Sequence, residues 1–424
     1  MKRIDNREYR INRSELTCIE ELPGLLEKKA DGGLLRWYIS KVTADQIFVE
    51  VTLYREEPGP VQGDGGVEGV FYPGKQVVVS IVPTGIGCAL GGYAADAAPA
   101  AALLASCTDY LITNPNTVNA SDFIRMSDNI LYTEGFIIDL FCRGRVNLYK
   151  PYANKVGVII EKAGKKELEV VFNLINTARA VHGIDIHDWV ITDELIGGRC
   201  VQTQSGCYAG EIENPGVLFK ACEALLARGV NAIAVTSNIK DLPLDNYARH
   251  FDGQHPNPVG GAEAVLSHLV CKKYRVPSAH APMINVKDLA LSSGIVDARG
   301  AGEFASASGL ACVLIGLAQA PQLMPDKGYR CKDVVNIENL MAVIAPASAL
   351  GGIPVLYAAR RGIPVIAVKN NHTILEVTQE KLNLKQVIEV TNYAEAAGIL
   401  QALANGISIA SIDRPLQTLR PNGM

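Results

Sequence analysis

Apolar residues in this chain gather in short runs, and each run is closed by a glycine-rich turn that opens into a helical pattern. Residues 77–82 are almost wholly apolar; Thr84-Gly-Ile-Gly-Cys88-Ala-Leu-Gly-Gly92 follows, and then an alanine-rich segment over 94–105. Such a run fits a buried strand, the glycines fit a turn, and the alanine-rich segment fits a helix. The grammar recurs twice. Residues 189–192 lead through a longer loop to Ser205-Gly-Cys207-Tyr-Ala-Gly210 and a helix over 217–228. Residues 341–345 lead to Ala347-Ser348-Ala-Leu-Gly-Gly352 and a helix over 355–361. Overlaid, the turns place Cys88, Cys207 and Ser348 at one position, each with glycine three residues later. After each helix comes a further apolar strand ending in asparagine, at Asn114, Asn238 and Asn370.

This alternation predicts an α/β fold: mainly parallel sheets with helices on both faces, in three pseudo-repeated β-loop-α-β units. The predicted division is an N-terminal appendage over 1–75, then units over 76–160, 161–330 and 331–424. Within the appendage, 15–29 reads as a helix, and 35–40 and 46–55 as strands. Residues 136–141 and 156–161 read as strands, 167–181 as an amphipathic helix, and 193–214 as a long loop of the kind that is usually functional. Helices are expected over 262–274, 308–318 and 392–405.

Composition narrows the class. The chain has 424 residues, 48% apolar and 20% charged, with a net charge of −4. It can bury a large core, and it carries no general attraction for nucleic acid or an anionic membrane. The opening Met-Lys-Arg-Ile-Asp-Asn-Arg-Glu lacks the apolar core of a signal peptide, and no run has the roughly 18 apolar residues of a membrane helix. Ten scattered cysteines without paired spacing then read as free thiols in a reducing cytoplasm. The expected partner is a small molecule, with a homo-oligomer possible.

The chemistry-bearing residues follow from the turns. A thiol in a turn that opens a helix can be held as thiolate by the helix amino end, which makes Cys88 and Cys207 candidate catalytic groups. Ser348 occupies the equivalent place, with Lys369 as a candidate base partner. The glycines, Gly87 and Gly91 among them, let backbone N–H groups approach a carboxylate. Strand-end Asn114, Asn116, Asn238 and Asn370 are placed to bind substrate beyond the strand termini. The loop residues Arg199, Gln204 and Ser205 are expected beside them. Arg143, Arg145, Arg199 and Arg299 are candidate carboxylate clamps. His255 and His280 are candidate proton carriers. No cofactor is expected, since neither GxGxxG with a following acid nor GxxxxGK[ST] is complete. The alternative is a divalent metal held by His250, Asp252 and His255. His182, His187 and His268 are assigned structural roles.

The stretches His255-Pro-Asn-Pro-Val-Gly-Gly-Ala-Glu263, His280-Ala-Pro-Met283 and Gly362-Ile-Pro-Val-Ile-Ala-Val resemble a bacterial family catalogued as a domain of unknown function. In plan, three loops with hydroxyl or thiol groups are similar to cyclic amide hydrolases, which use serines with lysine partners. Paired thiols on related halves are similar to aspartate/glutamate racemases. The expectation is therefore an enzyme acting on a small carboxylate or amide by thiol-dependent chemistry. Hydrolysis of a cyclic amide C–N bond ranks first, a two-thiol racemase or isomerase second, and a small-molecule-binding regulator third.

Overall fold

A computed structural model describes residues 4–31, 33–54, 74–115, 126–283, 295–306, 309–324 and 334–420. The chain starts with β1 (Ile4–Asn12), α1 (Leu22–Ala30), β2 (Leu34–Val42) and β3 (Gln46–Tyr54). These strands form an antiparallel sheet in the order β1-β3-β2. Next come β4 (Val77–Ser80), α2 (Ala98–Ala105), β5 (Tyr110–Thr113), β6 (Ile130–Tyr132), α3 (Gly135–Cys142) and the short β7 (Leu148–Tyr149). The middle of the chain gives β8 (Val156–Ile160), α4 (Lys165–His182), β9 (Ile186–Ile191), β10 (Gly198–Gln202) and β11 (Tyr208–Ile212). It continues through α5 (Pro215–Leu226), β12 (Ala232–Ser237), β13 (Ile239–Lys240), α6 (Leu244–Phe251), α7 (Gly260–Tyr274) and β14 (Ser278–Pro282). Helices α8 (Ala301–Ala305) and α9 (Gly309–Leu317) and the short strands β15 (Gln322–Leu323) and β16 (Val334–Val335) follow. The last stretch is β17 (Leu340–Pro346), α10 (Ile353–Arg360), β18 (Val365–Val368), α11 (Gln379–Leu382), β19 (Val387–Val390) and α12 (Tyr393–Ala404).

The fold is α/β, as the alternation predicted. Two parallel sheets form its frame, in the orders β19-β18-β17-β4-β5-β6 and β14-β12-β8-β9. Their strands are apolar on both faces because helices cover both. In β4, Val77 and Val79 enter one core cluster while Val78 enters another, which is the period-two signature of a doubly covered strand. Helix α4 shows the complementary pattern: Val171, Ile175 and Ala178 are buried on one stripe, and Gly183 at φ 65° ends the helix in the left-handed region.

In each sheet the connections leave two neighbouring strands in opposite directions. β4 leads to β5 through α2, whereas β17 leads to β18 through α10. β8 leads to β9, whereas β12 leads to β14. A crevice opens beyond the carboxyl ends of such strand pairs, and ligands of open α/β sheets collect there.

Helix α7 departs from the amphipathic pattern. Gly260, Gly261, Ala262, Val265, Leu266, Ser267, His268, Leu269, Val270 and Cys271 are all buried, so it is enclosed on nearly every side. Its amino end lies backbone to backbone on the β10–β11 hairpin. A Cβ at Gly261 would fall 2.4 Å from the Tyr208 carbonyl oxygen, and one at Gly210 would fall 2.4 Å from Ala262 Cα.

Two expectations give way. Residues 136–141 form α3 rather than a strand, because the run is apolar apart from Asp139 and so short a run cannot be separated by periodicity. The stretch 193–214 is not structureless, since it contains the hairpin β10–β11. The turn around Cys207 therefore joins two strands, and the second of the three turns is not a strand-to-helix turn. The N-terminal strands also pack into the main core: Ile39 N–H donates to the Gly351 carbonyl at 3.0 Å, and Trp37, Ile39 and Val49 share a cluster with Val77 and Val343.

Gly261→Ala should lower stability by about 1–3 kcal/mol, the range for overpacking a tight contact. Urea denaturation measures it, and an unchanged midpoint would show that the hairpin and α7 can move apart freely.

Candidate functional site

The crevice between β4 and β17 holds a cavity of about 200 Å³. That is somewhat larger than the ~150 Å³ hollow that accommodates benzene. Its floor comes from residues just past β4 (Ile81 to Thr84) and just past β17 (Ala349 to Pro354). The walls come from α3, α7, β14 and β2.

Helix α7 brings the polar groups. Glu263 and Ser267 are one turn apart on one face. Ser267 Oγ donates to Glu134 Oε1 at 3.1 Å, and the His268 Nδ1 atom lies in close contact with the same oxygen. Glu134 is the residue before α3, and its Oε2 accepts the Phe136 N–H at 2.7 Å, so the carboxylate is held as a helix cap. A Cβ on Gly135 would come within 3.1 Å of His268 Cε1, which is why the ring can lie against the start of α3. The second pair is formed by His280 of β14. Its Nε2 lies 2.8 Å from Ser237 Oγ, and its Nδ1 lies 3.6 Å from Glu263 Oε1. The His280 side chain is 0% exposed and its Nδ1 has no hydrogen-bond partner among the described residues. His268 Nδ1 likewise meets a carboxylate without an aligned hydrogen bond. Two histidine–carboxylate pairs thus line one cavity.

Two further ionisable groups line it. Asp139 is pushed well above the ordinary carboxylate range, first by burial and then by the Glu134 charge, with Arg36 acting the other way. Arg36 of β2 lies over the Tyr38 ring, with its Cζ 5.6 Å from the ring centre, and its Nη1 is buried with no partner among the described residues.

The three turns do adjoin. Tyr208 N–H donates to the Gly85 carbonyl at 3.1 Å, Ile374 N–H to Ile86 at 3.0 Å, and Ala89 N–H to His372 at 2.8 Å. Ser348 Oγ lies 2.9 Å from Thr373 Oγ1 in that same third segment. Yet their nucleophile-type groups do not line the cavity. Cys88 sits ten residues before α2, away from any helix amino end, and its thiol donates to the Pro83 carbonyl at 3.4 Å. Burial above all, then Asp96 and Cys207, pushes the Cys88 thiol far up. Cys207 is pushed up to about 11, again chiefly by burial. Both are neutral thiols near pH 7. Lys369 is exposed and 3.9 Å from Glu389, so the Ser348–Lys369 dyad is replaced by Ser348 with Thr373.

The remaining candidates are placed as follows. Asn114 lines the cavity, but its side chain also clamps Val82, accepting the N–H at 3.1 Å and donating to the carbonyl at 2.7 Å. Asn238 donates its N–H to Glu161, and Asn370 its N–H to Thr391. Asn116 lies outside the described residues. Gly87 and Gly91 serve packing, because a Cβ would meet Pro256 at 3.1 Å and Val82 at 2.2 Å. Gln204 is exposed at the hairpin tip, and Ser205 N–H donates to Glu50 at 3.2 Å. Arg199 pairs with Asp241 at 2.5 Å, Arg143 with Glu27, and Arg299 bidentately with Asp297 at 2.8 and 3.0 Å. Arg145 is likewise partnered.

The proposed metal cluster does not assemble. His250 Nδ1 faces the His255 carbonyl at 3.1 Å, its ring stacks on Tyr93 at 4.2 Å, and Asp252 points to solvent. His255 Nδ1 faces the Pro256 carbonyl at 3.0 Å. No group of three potential ligands exists among the described residues. His268, assigned a structural role from sequence, is instead in the cavity. Glu134, Glu263 and Arg36 were missed altogether. Glu263 falls within the quoted Pro-Asn-Pro-Val-Gly-Gly-Ala-Glu stretch, and its spacing to Ser267 and His268 on one predicted helix was the available signal.

The chain belongs to the DUF3326 family. Residues 77–413 match the family described as "Protein of unknown function (DUF3326)". An uncharacterized lipoprotein of Synechococcus sp. is 37% identical over 349 residues, covering 80% of this chain and 95% of that protein. No solved structure matches. The family match begins at Val77, so Arg36 and the rest of β2 precede it. Among the described residues, no helix is long and apolar enough to cross a membrane.

A second ionisable cluster lies beside the cavity. Glu303 accepts the Ala94 N–H at 3.0 Å and is pushed up to about 7, chiefly by burial. Asp96 is raised to about 6 for the same reason, and His250 is lowered to about 4. The folded value for Glu303 exceeds its ordinary 4.5, so the folded state keeps a proton that the unfolded chain releases. Its contribution is therefore full below pH 4.5 and is lost as pH rises towards 7. Glu303→Gln should remove that loss: the Tm of the variant relative to the parent should climb by a few degrees across this interval. A pH-independent difference in thermal melts would refute the assignment.

Proposed function

We propose that this chain is an enzyme that moves protons on a small polar substrate bound in the β4/β17 crevice. The observation that carries the reading is the pair of histidine–carboxylate couples, His268–Glu134 and His280–Glu263, lining one cavity. A base needs a positioned imidazole or carboxylate within reach of the substrate, and a partner that fixes its orientation. Ser237 holds His280 through Nε2, and Glu263 faces its Nδ1. Glu134 is fixed by a helix-capping bond and by Ser267. Two such couples on one cavity suit abstraction of a proton by one and return by the other.

Among the reaction classes expected from sequence, this favours isomerisation or racemisation over C–N hydrolysis. It also moves the chemistry from thiols to imidazoles and carboxylates. Cys88 and Cys207 are neutral, buried and outside the cavity, which is a poor state for a nucleophile. A cytoplasmic location is carried forward as a proposal. The Synechococcus relative is called a lipoprotein, which would place this chain at a membrane surface instead, and cell fractionation decides.

A panel of small chiral acids and cyclic amides in deuterated water is the test, with isotope incorporation and ammonia release as readouts. Deuterium should enter a carbon-bound position without ammonia release. His280→Asn or Glu263→Gln should slow exchange about 10²-fold or more, the usual worth of a general acid or base. Cys88→Ala and Cys207→Ala should keep most of it. Loss of turnover in the thiol variants, with activity intact in His280→Asn, would overturn the reading in favour of thiol chemistry.

A further inference from the structure

The N-terminal sheet brings a cationic side chain to the cavity wall. Arg36 projects from β2 into the wall, stacked over Tyr38, and its buried Nη1 has no partner among the described residues. A buried guanidinium without an acceptor is costly, and the cost disappears when an anion arrives. The acids around it are spoken for. Burial and the Glu134 charge raise the Asp139 carboxyl well above the ordinary range although Arg36 acts to lower it, and the Glu134 carboxylate is occupied by Phe136, Ser267 and His268. Tyr38 donates its hydroxyl to Glu50, which turns that carboxylate away from the cavity and towards the hairpin.

We infer that Arg36 binds the carboxylate of a small carboxylic acid, and that β2 is the wall that selects it. The rest of the lining supports a short organic acid over inorganic phosphate. Trp37, Ile39, Ile86, Ile138, Ile353 and Leu375 supply apolar surface for a carbon skeleton. Glu134 and Glu263 in the same space repel a dianion more strongly than a monocarboxylate. A guanidinium also grips a planar carboxylate with two parallel N–H donors, a geometry that fixes the ligand's axis as well as its charge. The ligand would then lie with its carboxylate at β2 and its body towards α7, where the two histidine–carboxylate couples line the space. The inference deepens the reading of this site as a proton-transfer centre by naming the substrate class, but it makes a binding claim that stands or falls separately.

Trp37 lines the cavity and reports binding directly. The chain has two tryptophans, so a Trp189→Phe background isolates it. Butyrate, lactate and succinate are titrated against uncharged butyramide and against inorganic phosphate, following Trp37 emission. At least one acid should give a saturable change that butyramide and phosphate do not. Arg36→Gln should weaken it about tenfold or more, the worth of a charge-assisted hydrogen bond. Arg36→Lys retains the charge without the fork and provides the readout if Arg36→Gln does not fold; it too should weaken binding. A parent that responds to none of the acids, equal response to acid and amide, preference for phosphate, or unchanged affinity in both Arg36 variants would each overturn the inference. Arg36-dependent binding with no proton exchange on any acid would retain this assignment and sink the enzymatic one. Exchange on an uncharged substrate, unaffected by Arg36→Gln, would do the reverse.

Discussion

A helix buried on nearly every side that still carries Glu263, Ser267 and His268 sets the terms for the rest of the structure. Burying such groups costs several kcal/mol unless each finds a partner. The neighbours of α7 are arranged to supply those partners. Glu134 caps α3 and meets Ser267 and His268, while β14 brings His280 to Glu263 and β12 brings Ser237 to His280. The helix can sit this deep only because Gly210 and Gly261 let backbone touch backbone at its amino end. Packing and polarity are therefore one problem here. The glycines permit the depth, and the depth makes the polar partners obligatory.

The two parallel sheets offer two crevices, and the protein treats them differently. Beyond β8 and β12 the space is filled from within. Glu161, buried to 1% exposure, accepts N–H groups from Ile196 and Gly197 through one oxygen and from Asn238 through the other. Its carboxylate occupies the place where a ligand's anion would sit in such a crevice. Beyond β4 and β17 no such plug is present among the described residues. Asn114 clamps Val82 on one side of the loop, and Asn371 clamps Leu90 on the other, accepting its N–H at 2.8 Å and donating to its carbonyl at 3.0 Å. Each asparagine amide imitates a strand neighbour, so the loop is held open rather than filled. One crevice is filled by a side chain and the other holds a cavity.

Much of the frame was legible along the chain because parallel strands covered on both faces leave continuous apolar runs, and amphipathic α4 leaves a stripe. Residues 136–141 were misread because a short helix that is apolar except at Asp139 leaves nearly the same trace as a buried strand. The hairpin in 193–214 was missed because its residues are a mixture of polar and glycine, without the alternation that marks a half-exposed strand. The site was legible only in part. His280 stood out as a histidine near a strand end, but Glu134 is an ordinary helix cap until Ser267 and His268 arrive from more than a hundred residues away. Arg36 is one basic residue among many in the sequence. What distinguishes it is a buried Nη1 without a hydrogen-bond partner among the described residues, at the wall of a cavity, and that is a property of the fold alone.

The repeated turns mislead for an instructive reason. Small residues such as Gly, Ala, Ser and Cys are what a crowded strand-end junction requires, whether or not it does chemistry. Gly91 must leave room for Val82, and Gly87 for Pro256. Cys88 and Cys207 fit the same demand, since a buried neutral thiol behaves as a small apolar group with a weak donor. The segments around Cys88, Cys207 and Ser348 do meet, joined by Tyr208, Ile374 and Ala89 backbone hydrogen bonds. Their convergence makes a rigid rim. The polar groups of the cavity come from the elements packed around that rim: Glu263 and His268 from the buried helix α7, Glu134 from the start of α3 and His280 from β14.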